Sequence, residues 1–234
     1  AKIQGESLRV TRKHLISLTI FGVVGYGCTN LLLSLSYLYI DMGKATMCHF
    51  AYPIFVTLAM RLLYREKLTT CKLVATICAV AGLVLLSAED GFCNFKGILI
   101  AVLSGVAYGI YVIAMDKASF RTLNSFVVVS YVGAVCCVFF TVATMFEGRN
   151  ITAPTIREVT FLIVAALMGT IAMMFFNQGV RVVGASTASF INMLEPVTNL
   201  VVDMVLYAAI PSIIGWSGCI MILLSVFFVF AKTE

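Results

Sequence analysis

Residues 182–207 read VVGASTASFINMLEPVTNLVVDMVLY, an apolar run interrupted by Glu195 and, directly after it, Pro196. A carboxylate at membrane depth is costly and is read first as functional. Proline lacks a backbone N–H and crowds the preceding helical turn, so a helix bends or breaks there. An earlier apolar run carries Tyr52-Pro53 in a matching place. On a helix, Ala185, Ala188, Asn192, Glu195, Asn199 and Asp203 recur every three or four residues and share one face, with Phe190, Met193, Leu194, Val197 and Val201 opposite. A polar stripe is expensive in lipid, so this face is expected to line the bundle interior or a wet cavity.

The surrounding composition sets the solvent. Of 234 residues, 61% are hydrophobic and 12% charged, whereas soluble domains carry about 25% charged residues. With a mean hydropathy of +1.04, the chain is an all-α, polytopic integral membrane protein. The net charge of +5 does not point to nucleic acid, because the basic residues are spread over loops and form no basic helix. The cysteines fall mostly within apolar runs and include no C-x-x-C pair, so zinc or thiol-redox chemistry has no spacing to support it. Asn150-Ile151-Thr152 matches a glycosylation sequon, a tripeptide common by chance.

A span needs about 20 mostly apolar residues. Eight are read: 15–40, 45–64, 72–88, 97–115, 122–146, 159–180, 182–207 and 210–231. With a cytoplasmic N-terminus, twelve Lys and Arg fall in inner segments and four (Lys44, Lys96, Arg149 and Arg157) in outer ones. That positive-inside bias predicts both termini in the cytoplasm.

A shift of 143 residues lays Pro53 on Pro196, Ala45 on Ala188, Leu63-Tyr64 on Leu206-Tyr207 and His49 on Asn192. The two proline spans are five crossings apart and so run in opposite directions. Inverted repeats with interrupted helices at their interface are a common plan for secondary transporters. The expected units are 1–90, with three helices, and 91–234, with five. A five-plus-five plan would leave two N-terminal helices outside this chain.

Ala51-Tyr-Pro-Ile-Phe-Val, Tyr64-Arg-Glu-Lys-Leu-Thr and Ala81-Gly82 resemble the first repeat of the EamA-type drug/metabolite transporters. Gly184-Ala-Ser-Thr-Ala-Ser and Leu194-Glu-Pro-Val resemble the second, as do Lys96-Gly97 and Gly105-Val-Ala-Tyr108. The resemblance covers nearly the whole chain. It implies ten helices in two inverted repeats, cytoplasmic termini and transport of small metabolites, often export. An acidic residue is expected after each proline helix; it is present as Glu66 and replaced by Ala209 in the second copy.

The candidate substrate or proton pathway is Glu195, Asn192, Asn199, His49 and Tyr52, with Pro53 and Pro196 as helix breaks. Glu195 suits proton coupling, pairing with a cationic solute or a structural polar contact, and the sequence leaves these open. Asp203 reads as a solvated helix end, and Asn177 and Gln178 as an interfacial one. Asn30, Tyr37, Tyr108 and Tyr111 read mainly as packing. Gly105 and Gly109 read as a close helix approach. The expected partners are a small-molecule solute, the plasma-membrane bilayer, protons and a second copy of the chain; no cofactor or metal is implied. An intramembrane enzyme or a channel is the alternative, but H-E-x-x-H, G-x-S-x-G and Walker A motifs are all absent.

Overall fold

The computed structural model describes residues 10–67, 69–88, 94–147, 155–207 and 212–230. All regular structure among them is helical. It forms α1 (Arg12–Ser36), α2 (Met42–His49 and Tyr52–Tyr64), α3 (Thr70–Ala88) and α4 (Phe95–Lys117), then α5 (Ser125–Glu147), α6 (Ile156–Val183), α7 (Ala185–Asn192 and Leu194–Tyr207) and α8 (Ile213–Phe230). These match the eight expected spans to within a few residues. Among the described residues, seven are long and apolar enough to cross a membrane, and α3 adds an apolar stretch over Thr70–Leu85. The sequon at 150–152, Ala209 and the side chain of Asp203 lie outside the described residues.

Local chemistry sets the helix ends. The Thr11 hydroxyl caps α1 by accepting from His14 N–H at 3.3 Å. Asn94 caps α4 by accepting from Lys96 N–H at 3.0 Å. Thr155 and Glu158 form a reciprocal capping box at the start of α6. Gly184, at φ 83°, turns α6 directly into α7, a conformation glycine reaches without steric cost.

Both proline spans are broken. Each proline removes an N–H and crowds the carbonyl four residues back, at His49 for Pro53 and Asn192 for Pro196. The first segments accordingly stop at those two residues, and a turn at Phe50-Ala51 or at Met193 leads into the second.

Three helix pairs position the site. α4 passes so close to the break in α2 that a Cβ on Gly105 would lie 2.5 Å from the His49 carbonyl oxygen, and one on Gly109 2.6 Å from the Phe55 ring. The second half of α2 crosses the first half of α7 antiparallel, with Tyr52 bonded to Ser189 and Thr57 to Ser186. α3 and α8 pack side by side, with Gly82 seated against the Gly218 carbonyl. A seven-residue π-helical stretch, Phe21–Gly27, runs within α1. It buries Gly25 against Tyr111 of α4.

Gly105→Ala forces a Cβ into backbone and is expected to destabilise the protein by about 1–3 kcal/mol. Gly133→Ala meets nothing within 4 Å and is expected to be close to neutral. Thermal unfolding of the two variants in detergent checks the contrast.

Candidate functional site

The two helix breaks bring His49, Tyr52, Asn192 and Glu195 into one neighbourhood. His49, at the end of the first half of α2, is buried, and its Nδ1 lies 2.9 Å from Ser104 Oγ. Ser104 has a single hydroxyl proton and donates it to the Ala101 carbonyl at 2.6 Å. Its oxygen therefore accepts from His49 Nδ1–H.

Tyr52 is fully buried and donates to the Ser189 carbonyl at 3.4 Å. Its hydroxyl also faces the Asn192 side chain and the Glu195 carboxylate. Asn192 Nδ2 lies 3.5 Å from Glu195 Oε2, the long limit of a hydrogen bond. Tyr108 sits at the centre of the cluster, 4.8 Å from the Tyr52 ring edge-on and 5.4 Å from His49, with Phe176 of α6 stacked parallel to it at 6.3 Å.

Beyond Tyr108 the aromatic cluster continues to Tyr111 and, across a tilted 5.5 Å contact, to Tyr26. These last two tyrosines border a cavity of about 330 Å³ between α1, α4, α5 and α6. Ligand pockets start at about this size. The Tyr111 hydroxyl is buried with no hydrogen-bond partner among the described residues.

A second polar knot lies at the end of the bundle marked by Lys117, Arg121 and Arg181. Asp116 is buried there and takes Lys117 at 3.0 Å, Arg121 at 3.6 Å and the Ala185 backbone N–H at 3.4 Å. Arg181 donates to Asn177 Oδ1 at 3.1 Å and to the Leu123 carbonyl, and Arg121 donates to the Arg181 carbonyl at 3.4 Å. One carboxylate and two arginines thus tie α4, the turn before α5, α6 and the start of α7 together.

The stripe on α7 divides along its length: Ala185 and Ala188 are buried in the bundle, while Glu195 and Asn199 are exposed. Phe190 and Met193, on the face expected to be outer, are fully buried. Asn177 is likewise no interfacial helix end; α6 continues to Val183 and buries it. Glu66, the acid after the proline helix, pairs with Lys72 and links α2 to α3.

Sequence reasoning missed Ser104, Ser189 and Asp116 as polar partners. The available signal for Asp116 was an acid one residue inside the end of an apolar run. For the serines no pattern distinguishes a buried partner from a small packing residue.

The chain is a helical bundle whose two proline-broken spans meet at a polar, aromatic cluster. Residues 1–88 and 95–231 match the EamA-like transporter family, and the chain belongs to that family. It is 33% identical over 103 residues to an uncharacterized transporter of Archaeoglobus fulgidus (strain ATCC 49558 / DSM 4304 / JCM 9628 / NBRC 100126 / VC-16). That match spans 44% of this chain and 37% of the relative's length. A crystal structure of a protein 19% identical shares the fold, with a TM-score of 0.74 over 95% of this chain and 77% of that one.

Ser104→Ala strands the buried His49 Nδ1–H and is expected to cost about 1–3 kcal/mol, whereas Tyr111→Phe removes an unpartnered hydroxyl and is expected to be neutral or mildly stabilising. Thermal unfolding of the two variants measures both signs.

Proposed function

We propose that the protein is a secondary transporter exporting a small metabolite or drug-like solute by alternating access across the plasma membrane. Two inverted units, 1–90 and 91–234, are arranged about the site, and both termini lie in the cytoplasm. The observation that carries this reading is the meeting of both proline breaks at one cluster of His49, Tyr52, Tyr108, Asn192 and Glu195. Broken helices at a repeat interface are where transporters of this plan bind substrate and coupling ions. The twelve-to-four distribution of Lys and Arg supports the orientation.

The roles follow from exposure and chemistry. Glu195 is the accessible acid of the cluster and exchanges a proton, or pairs with a cationic group of the solute. Asn192 orients its carboxylate. His49, buried and bonded to Ser104, ties the break in α2 to α4. The cavity beside Tyr26 and Tyr111 gives the solute room, and the Tyr111 hydroxyl a donor for it. Asn199 lies one turn beyond Glu195 on the same exposed face and extends the polar path.

Sealed vesicles containing the protein test this. A panel of amino acids, nucleosides and quaternary amines is followed with and without a pH gradient. The native protein is expected to move at least one class, faster with the gradient. Glu195→Gln is expected to abolish the gradient's effect while the variant stays folded. Unchanged, pH-sensitive transport by Glu195→Gln would assign Glu195 a structural role. Tyr111→Phe is expected to weaken solute binding without loss of thermal stability, seen as a higher half-saturating concentration.

A further inference from the structure

A second cavity lies away from this cluster. It is a groove of about 630 Å³ between α1, α2 and α4, at the end of the bundle that carries Lys117 and Arg121. Its walls repeat one pattern. α1 contributes Lys13, Ile16, Ser17 and Ile20, at spacings of three, four and seven from the lysine. α4 contributes Ile110, Ile113, Ala114 and Lys117, with the same spacing read from the other end. α2 supplies an apolar third wall from Phe55, Ala59 and Leu63. Residues so spaced share one helix face. Each lysine thus stands at the end of an apolar stripe, and both lie at the same end of the groove because α1 enters the bundle where α4 leaves it.

The rim is polar and positive. Lys13 and Lys117 are exposed. Ser119, also at the rim, has a buried hydroxyl oxygen with no partner among the described residues. Lys117 shares the Asp116 carboxylate with Arg121, and Glu66, at the same end, is taken up by Lys72; with Lys13 and Arg181 included, the cations at this end outnumber the carboxylates. The surplus calls for an anion, and the apolar body beneath it calls for hydrocarbon. Basic pockets between membrane helices recognise anionic lipid headgroups in this way.

We propose that this groove is a binding site for one anionic phospholipid. The phosphate lies between Lys13 and Lys117 and accepts from the Ser119 hydroxyl, and an acyl chain lies along Ile16, Ile20, Ile113 and Phe55. The assignment does not depend on the transport reading, since it rests on a different face of α4 from the one carrying Gly105 and Tyr108.

The test uses the purified full chain in detergent and native mass spectrometry, with phosphatidylglycerol and phosphatidylcholine offered separately at equal concentrations. Soluble glycerol 3-phosphate and inorganic phosphate are added in parallel as competitors. One phosphatidylglycerol is expected to bind at least about tenfold more tightly than phosphatidylcholine, each lysine contributing roughly fivefold. Lys13→Gln is expected to lose about fivefold of that preference, Lys13→Arg to keep it, and Lys96→Gln at the opposite end to leave it unchanged. Equal binding of the two lipids, or no effect of Lys13→Gln in protein of native helix content, overturns the proposal. Displacement of the lipid by equimolar inorganic phosphate or glycerol 3-phosphate also overturns it, because the site would then read a free phosphate and make no use of the apolar groove.

Discussion

The constraint on which the structure depends is the need to satisfy every backbone polar group inside lipid. Pro53 and Pro196 each withdraw one donor from a spanning helix. The carbonyls of His49 and Asn192 lose their helical partners as a result, and both helices turn at that point. At the first break the consequence is visible in the packing. Gly105 of α4 has no side chain, so its Cα presses against the His49 carbonyl where a Cβ would be 2.5 Å away. Ser104, the residue before it, takes the imidazole. The G-x-x-x-G face and the proline are therefore one device: the proline exposes backbone, and the glycine face covers it.

The second break is finished differently, and the asymmetry sets the chemistry. Its first half is buried through Ser186, Ser189 and Phe190 against α2, while Asn192 is only partly covered and Glu195 is exposed. On one side of the cluster a histidine is enclosed and its tautomer set by a serine. On the other a carboxylate stays reachable. The carboxylate has an access that the histidine, buried against the glycine helix, lacks. The tyrosines between them pack ring against ring, with Tyr108 edge-on to Tyr52.

Hydropathy made the spans legible because a bilayer leaves a chain few options. Ends with strong local chemistry, such as Thr155 with Glu158, came within a few residues of the observed start. The two prolines marked where helices fail. Less legible was how deep each part of one helix face sits. The α7 stripe passes from buried at Ala185 and Ala188 to exposed at Glu195 and Asn199, because the neighbouring helices cover only its first half, and spacing carries no record of neighbours. Asn177 was misread because Asn177-Gln178 before Arg181 resembles a helix terminus, yet Arg181 folds back on Asn177 and the helix runs on to Val183. The π-helical stretch at Phe21–Gly27 shows only as glycine spacing, which small-residue packing explains equally well in sequence.

Asp116 shows how a single buried charge organises an end of such a bundle. An isolated carboxylate there would be costly, and it persists because Lys117, Arg121 and the first N–H of α7 all converge on it. Gly184 makes that convergence possible, since its positive φ lets α7 begin within one residue of α6. The start of α7 is thus held to α4 by charge, and the rest of its first half is held to α2 through Ser186 and Ser189. Asn192 and Glu195 stand where that fixed packing ends, at the break at Met193.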